Sequence, residues 1–507
     1  MSEPLAVPAA DPILRRDRLV AAYLFLSTLC VYLATGRFFL DNTDGENMYL
    51  ALEANLRGDI WLRPGLSGNW WHTWGWTGQP FDPHGLGQSI LATPLWYVGN
   101  LAASHLHIAS ADLIRRAAVL LFCPIVTALT VAFLYWFARR LGHDARLALA
   151  ASLTFAFCTL AFPFSKYFFS EPLAGLLLLV TLYYLSPASG PFTLASAAAT
   201  GALAGMTGLV RPALWPLCLL AIVLLPIRLR RLRETVPAAL LFLAFFAPSA
   251  YLYGWYNWAR FGSPLTNCPM DPNKLSPAEL PIGLYGLLLS PGKSIFLYVP
   301  ALLIVLAGYR IFWRRDRFLA ATIVALAVYH LLIYGAWTDW PGGWTWGPRF
   351  LISALPLLWL AMPDGLTFAW RTRPLRIAAS ALLVLSFAVS LLGVTSFYMA
   401  HLDRLESRHM KIGASHFHWA DSPIVGGVWT LEHARFSPIP RTALGHTQAG
   451  VKSGEGLKEE LRNTVDIWPI FFRRFGFGRW VWGIFLLLLL LSAIFARRAV
   501  SLASHDV

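Results

Sequence analysis

Long apolar runs separated by short basic or aromatic stretches set the pattern of this chain. The first run covers residues 19–40. Others follow at 117–137, 147–164, 172–185, 192–209, 212–226, 236–256, 294–313, 318–334, 350–362, 377–399 and 481–495. At roughly 20 residues per membrane span, these runs predict about twelve transmembrane helices. After the first run, Tyr49, Leu52 and Leu56 recur at helical spacing, which predicts an amphipathic helix behind the acidic stretch 41–46. Gly201 and Gly205, four apart in a small-residue run, predict close helix packing.

Composition agrees with the pattern. The 507 residues are 57% hydrophobic and only 13% charged, with mean hydropathy +0.54. Soluble domains carry about 25% charged residues, so the class is an all-α polytopic membrane protein. The formal net charge of +14 does not indicate nucleic acid. The arginines stand in short loops between apolar runs, where they act as topology signals facing anionic lipid. Arg15, Arg16 and Arg18 place the N-terminus in the cytoplasm, and the first run is too long for a signal-peptide core. Residues 86–104 are apolar but carry Gln88, Pro94, Tyr97 and Asn100. If they do not span, the clusters at 139–146, 228–233, 314–317, 371–376 and 497–498 all fall inside. Only Arg115 and Arg116 favour a span. The stretch is therefore read as interfacial or re-entrant. The expected organisation is a cytoplasmic tail (1–18), a transmembrane region (19–399) with a first external loop (41–116), an extracytoplasmic segment (400–478), and a last span with a tail (479–507). Breaks at Gly426-Gly427, Pro438 and Pro440 predict strands and turns in the extracytoplasmic segment. The five cysteines, Cys268 among them, make neither a metal-ligand spacing nor a disulfide framework.

Candidate chemistry lies in the outer loops. Asp41, Asp44 and Glu46 stand within six residues where the first helix leaves the membrane. An unpaired charge in lipid costs roughly 2.5–3.5 kcal/mol on insertion scales, so carboxylates at this boundary call for a reason. Asp41, Thr43 or Asp44 can cap the following helix. Asp44 at a cavity mouth can instead act as a general base towards an acceptor hydroxyl. Lys166, Arg211, Lys293 and Arg349 each stand at an outer end of an apolar run. Singly they read as snorkelling chains; together they can hold a phosphate. Residues 286–294 approach a nucleotide-binding loop, but their glycines are spaced one residue too far. Asp339 among Trp337, Trp340, Trp344 and Trp346 suits a sugar, with rings stacking on its apolar face. Trp70, Trp71, Trp74 and Trp76 form another aromatic group. A zinc site from His416 and His418 is the weaker use of the scattered histidines.

The assembled pattern resembles the GT-C superfamily of membrane glycosyltransferases, closest to the protein mannosyltransferase and aminoarabinose transferase branch. Asp44-Gly45-Glu46-Asn47-Met48-Tyr49 is similar to the family's Asp-Glu-x-x-Tyr stretch, with Gly45 where Glu is usual. Residues 58–62 look like the end of the first-loop helix. Residues 165–171 look like the second-loop motif, with Glu171 in place of the commoner Asp. The resemblance implies a GT-C fold with interfacial helices in the first external loop. It implies an inverting transfer of one sugar from a polyprenyl-phosphate carrier to a glycan, lipid or protein hydroxyl. The active site would face the extracytoplasmic side of the inner (plasma) membrane. Asp44 would be the base; Asp41, Glu46, Lys166, Glu171, Arg211, Lys293, Asp339, Trp340 and Arg349 would bind substrate. Donor, acceptor and bilayer are the partners; no nucleic acid and no cofactor are called for, with a divalent cation left open. A transporter or flippase for a lipid-linked glycan is the alternative, with the carboxylates as a proton relay.

Overall fold

The computed structural model describes residues 12–37, 39–40, 42–63, 73–75, 77–106, 110–266, 274–410, 412–438 and 464–504. Asp41, Trp70, Trp71, Trp76, Cys268, Pro440 and His446 lie outside them. Among the described residues helices carry almost all regular structure, apart from a two-residue antiparallel pairing of Thr73–Trp74 with Pro80–Phe81.

Among the described residues eight helices are long and apolar enough to cross a membrane: Leu14–Ala34, Ala111–Arg140, Pro212–Leu229, Leu232–Phe261, Arg317–Gly335, Arg349–Ala369, Arg373–Thr395 and Trp480–Ser504. Four shorter apolar helices accompany them: Ala145–Phe157, Ser170–Leu185, Leu194–Val210 and Leu280–Leu289. Three of the short ones fall on runs expected to span. The fourth lies in a stretch expected to be loop. The run at 294–313 breaks into Ile295–Tyr298 and Leu302–Arg315. Pro300 sits in the break, and a proline cannot donate to the helical ladder.

The first six helices are α1 (Pro12–Ala34), α2 (Thr43–Leu56), α3 (Gly87–His105), α4 (Ala111–Leu120), α5 (Phe122–Arg140) and α6 (Ala145–Phe157). α1 packs on α5 and runs antiparallel to Trp480–Ser504. Arg16 donates to the Leu502 carbonyl at 2.6 Å, and Ser27 meets Ser492 at 3.1 Å. Both ends of the described chain thus meet at one end of the bundle. The basic loops gather there too: Arg139 pairs with Asp17 at 2.9 Å, and Arg146 donates to the Ser504 carbonyl. The acidic stretch and its partners occupy the opposite end, where α1 terminates.

α2, α3 and α4 form a subassembly at that opposite end. Arg116 pairs with Glu46 and Asp112, and Arg115 lies 3.5 Å from Glu53. The two arginines that alone favoured a spanning α3 are therefore counter-ions for α2. α3 exposes Tyr97, Val98 and Leu101, an apolar face of the kind that lies along an interface. Gly201 and Gly205 do what their spacing predicts: a Cβ on Gly201 would come within 2.2 Å of the Phe242 carbonyl oxygen. In the described parts of the segment after residue 398, short helices, Tyr398–Ser407 and Pro423–Glu432 among them, stand in place of the expected strands and turns. Gly426 lies inside the second, where a Cβ would strike the His401 ring at 2.0 Å; this glycine permits close packing and makes no turn.

Candidate active site

The acidic stretch folds so that its carboxylate is free for other work. Asn42, not an aspartate, caps α2, its side chain accepting from the Gly45 N–H at 2.6 Å. A Cβ on Gly45 would lie 2.7 Å from that Asn42 oxygen, so the Gly45 that departs from the family stretch makes room for the cap. Asp44, second in the helix, points elsewhere. Its carboxylate accepts from Arg349 Nη1 at 2.5 Å, and His84 Nε2 lies 3.4 Å from the same oxygen.

From Asp44 an ion chain of alternating sign extends both ways. On one side, His84 Nδ1 meets Asp82 Oδ1 at 2.7 Å, and Asp82 also accepts the His84 backbone N–H. Arg260, fully buried over the Tyr256 ring, donates to the Asp82 carbonyl at 2.5 Å and to Asn257 at 2.6 Å, fixing this turn from beneath. On the other side, Arg349 Nε lies 3.8 Å from Glu171 Oε1. Glu171 pairs with Arg211 at 2.7 Å, and Arg211 reaches Tyr334 Oη at 3.0 Å and Ser170 at 3.1 Å. The rings of Tyr334, Phe350 and Trp337 stack at 4.6–6.1 Å, and Arg211 and Arg349 both lie over Phe350.

Local structure explains why carboxylates stand here. Asp44 and Glu171 lie in the first turns of α2 and Ser170–Leu185, where the helix dipole favours negative charge. α3 brings its own start to the same place. Gly85 and Gly87 sit so close to the backbone of Leu209 and Val210 that a Cβ would overlap it, at 2.3 Å and 2.9 Å. That contact sets the start of α3 against the end of the helix Leu194–Val210, which Arg211 follows.

The electrostatics follow from the pairing. Burial pushes the Asp44 carboxyl upward, but Arg349 and His84 together outweigh it and hold it far below the usual carboxylate range. Burial opposes the His84 imidazolium, yet Asp82 and Asp44 raise its pKa to about 10. The chain is nevertheless not saturated: Glu171 Oε2 and Arg349 Nε are buried without a hydrogen-bond partner, as are both amide atoms of Gln88 in the first turn of α3. Among the described residues no three His, Cys, Asp or Glu side chains group as ligands of a metal ion.

Of the residues singled out in the sequence, the structure brings Asp44, Glu171, Arg211 and Arg349 together. Glu46, one helical turn on from the Asn42 cap, is engaged by Arg116. Lys166 lies in another cluster, donating to Asp466 Oδ2 at 2.5 Å and to the Val394 carbonyl at 2.6 Å. Lys293 is fully buried and donates to the carbonyls of Gly343, Thr345 and Gly347. Trp340 is buried against His416 and Phe417, while Asp339 is exposed and pairs with Lys274 at 2.9 Å. Trp337, not Trp340, borders the ion chain. His84, Asp82 and Arg260 escaped sequence reasoning. The one local signal was Asp82-Pro83-His84-Gly85, a polar turn immediately before an apolar run.

No family model matches the chain, and no curated protein matches it. Among solved structures, ArnT from Cupriavidus metallidurans in the apo state is similar over 96% of this chain and 76% of that one, with 11% identity and a TM-score of 0.46. The same protein bound to undecaprenyl phosphate is similar over 97% and 78%, with 12% identity and a TM-score of 0.42.

Proposed function

We propose that the chain is a GT-C membrane glycosyltransferase. It moves a sugar from a polyprenyl-phosphate carrier to an acceptor hydroxyl at the extracytoplasmic face of the inner membrane, with inversion. The observation that carries this reading is a carboxylate at a helix start, held between a guanidinium and an imidazolium, in a cluster where Arg349 Nε and Glu171 Oε2 keep spare hydrogen-bonding capacity. The sequence resemblance supplies the reaction class.

In this reading Asp44 is the base, and Arg349 is shared between it and the donor. A phosphodiester entering the cluster competes for the Arg349 fork, which suits paired phosphate oxygens. Losing Arg349 raises the basicity of Asp44, which in the empty site is too weakly basic to take a hydroxyl proton. Asp44 then accepts the acceptor's proton as the acceptor oxygen bonds to the anomeric carbon. The opposite bond, from that carbon to the phosphate oxygen, breaks, and the phosphate leaves on its carrier with the electron pair. His84 and Arg211 stabilise the negative charge that gathers on the leaving phosphate. Glu171 holds Arg211 in place, and Asp41 and Glu46 stand on either side of the base in sequence.

Asp44→Asn keeps size and removes basicity. Loss of a general base typically costs roughly 10²–10⁴-fold in rate. A strain lacking the gene is expected to accumulate one polyprenyl-phosphate sugar, visible by mass spectrometry of lipid extracts. Wild type should clear it and Asp44→Asn should not, at equal membrane abundance. Full clearance by the variant would overturn the assignment of the base. Absence of any accumulated carrier-linked sugar would overturn the reaction class.

A further inference from the structure

We infer that Lys293 is the positioning residue for Arg349: it holds the glycine-rich turn 342–347 in the one shape that aims the guanidinium at Asp44. The inference rests on the proposed role of Arg349 at the donor phosphate.

The turn has little structure of its own. Gly342, Gly343 and Gly347 all sit at positive φ, at 71°, 69° and 65°, a region that glycine enters freely. Three such residues in six leave the segment many alternatives, and it has no regular ladder to restrict it. Lys293 supplies the restriction. Its Nζ reaches the Thr345 carbonyl at 2.8 Å and those of Gly343 and Gly347 at 3.2 Å each. An ammonium has three N–H donors, and here three carbonyls converge on it from one turn. The lysine is itself anchored, its N–H bonded to Ser290 Oγ at 3.2 Å. The neighbouring Gly292 N–H bonds the His416 carbonyl at 3.1 Å, and a Cβ there would overlap Ser415 and His416.

The far end of the turn delivers Arg349. Gly347, one of the three acceptors, also takes the Arg349 N–H at 3.1 Å, and Pro348 between them fixes its own φ. Gly347 is packed so that a Cβ would lie 2.7 Å from the Tyr298 ring. Gly342, at the near end, lies under the Arg349 side chain, with a Cβ position 2.8 Å from its Cγ. Both ends of the lysine-bound turn therefore touch Arg349. Lys293 is fully buried and its ammonium is engaged by the turn's carbonyls, so it reaches the site through Arg349 and not by touching a ligand.

Two measurements on the full chain in detergent test this. The first is hydrogen–deuterium exchange of residues 342–349. Lys293→Met should lose protection there, and Lys293→Gln, which keeps two donors, should retain part of it. Unchanged protection in both variants would overturn the proposal. The second is a double-mutant cycle on transfer, kcat and KM read separately. A misplaced positioning group costs roughly up to 10²-fold. Lys293→Met should lower kcat/KM by about that order. In an Arg349→Ala background it should cost no more than about twofold, because its route to the site is already gone. Full additivity would mean that Lys293 acts by another path and would also overturn it. A failure of the donor-site reading looks different: polyprenyl phosphate alone would bind wild type and Arg349→Ala equally, while exchange at 342–349 still decides the role of Lys293.

Discussion

Two ion clusters stand at the same end of this molecule, and they are built on opposite principles. The inner one joins Arg37, Lys166 and Asp466, with side chains no more than 1% exposed. Asp466 accepts from Arg37 Nε at 2.8 Å and from Lys166, while the Lys166 ammonium also caps the carbonyls of Val394 and Asp466. Arg37 is sandwiched by the rings of Phe39, Tyr167 and Phe397 at 4.7–5.3 Å. Two cations face one carboxylate, and carbonyls and rings take up the remainder. The outer cluster, from Asp82 to Arg211, has equal numbers of each sign and partly open members: Asp44 is 25% and His84 22% exposed. Two of its buried polar atoms have no partner. A cluster wholly withdrawn from water rivets the segment around residue 466 to the bundle. A partly open one can exchange partners with something that arrives.

Taking away a partner should separate the two. Asp466→Ala leaves two buried cations behind, and breaking a buried pair from one side typically costs about 3–5 kcal/mol. We expect the largest loss of thermal stability here, read by unfolding in detergent. Replacing all three members by apolar residues of similar size should recover most of it. If Asp466→Ala melts like wild type, the inner cluster is no rivet and the contrast fails. Arg349→Lys, in the outer cluster, should leave the melting temperature nearly in place. It should lower donor use almost as much as Arg349→Ala, roughly tenfold or more, since a single charged hydrogen bond contributes about 1.5–3 kcal/mol. Turnover with carrier-linked sugar checks this; a lysine variant close to wild type would show that a point charge suffices.

The smallest effect is one of pH. The His84 pKa is raised from 6.5 to about 10 in the folded protein. Its contribution to stability is therefore complete below 6.5 and is lost as pH rises through about 10. The melting difference between wild type and His84→Gln should shrink steadily across that window. The inner cluster contains no histidine, so a similar slope in a variant lacking His84 would assign the titration to another group.

Much of this architecture was legible along the chain, and the reasons are local. Apolar runs are membrane helices because every backbone polar group must be satisfied inside the segment. The basic loops gather at one end as their alternation implied, and Asp44 stood out because carboxylates are scarce and costly at that level. Burial was less legible. Lys166 and Lys293 sit at helix ends exactly as surface cations do; only distant chain, Asp466 and the turn 343–347, makes them interior. Partners were hidden for the same reason: Arg349 and Asp44 are 305 positions apart. His84 had no periodic signal, since its place depends on glycines meeting the backbone of Leu209 and Val210. The run at 294–313 was misjudged because hydropathy counts Pro300 as one residue among twenty, whereas the helix ladder breaks at it.

Asp44 and Glu171 stay tethered to their helices whatever occupies the space between them. In the proposed reaction Asp44 must first pass on the proton it took before it can pair with Arg349 again. Being part of the same chain, the regenerated carboxylate acts at a high effective concentration. On that proposal the Arg349–Asp44 pair competes with the carrier phosphate in donor and product alike, and loosens the hold on each.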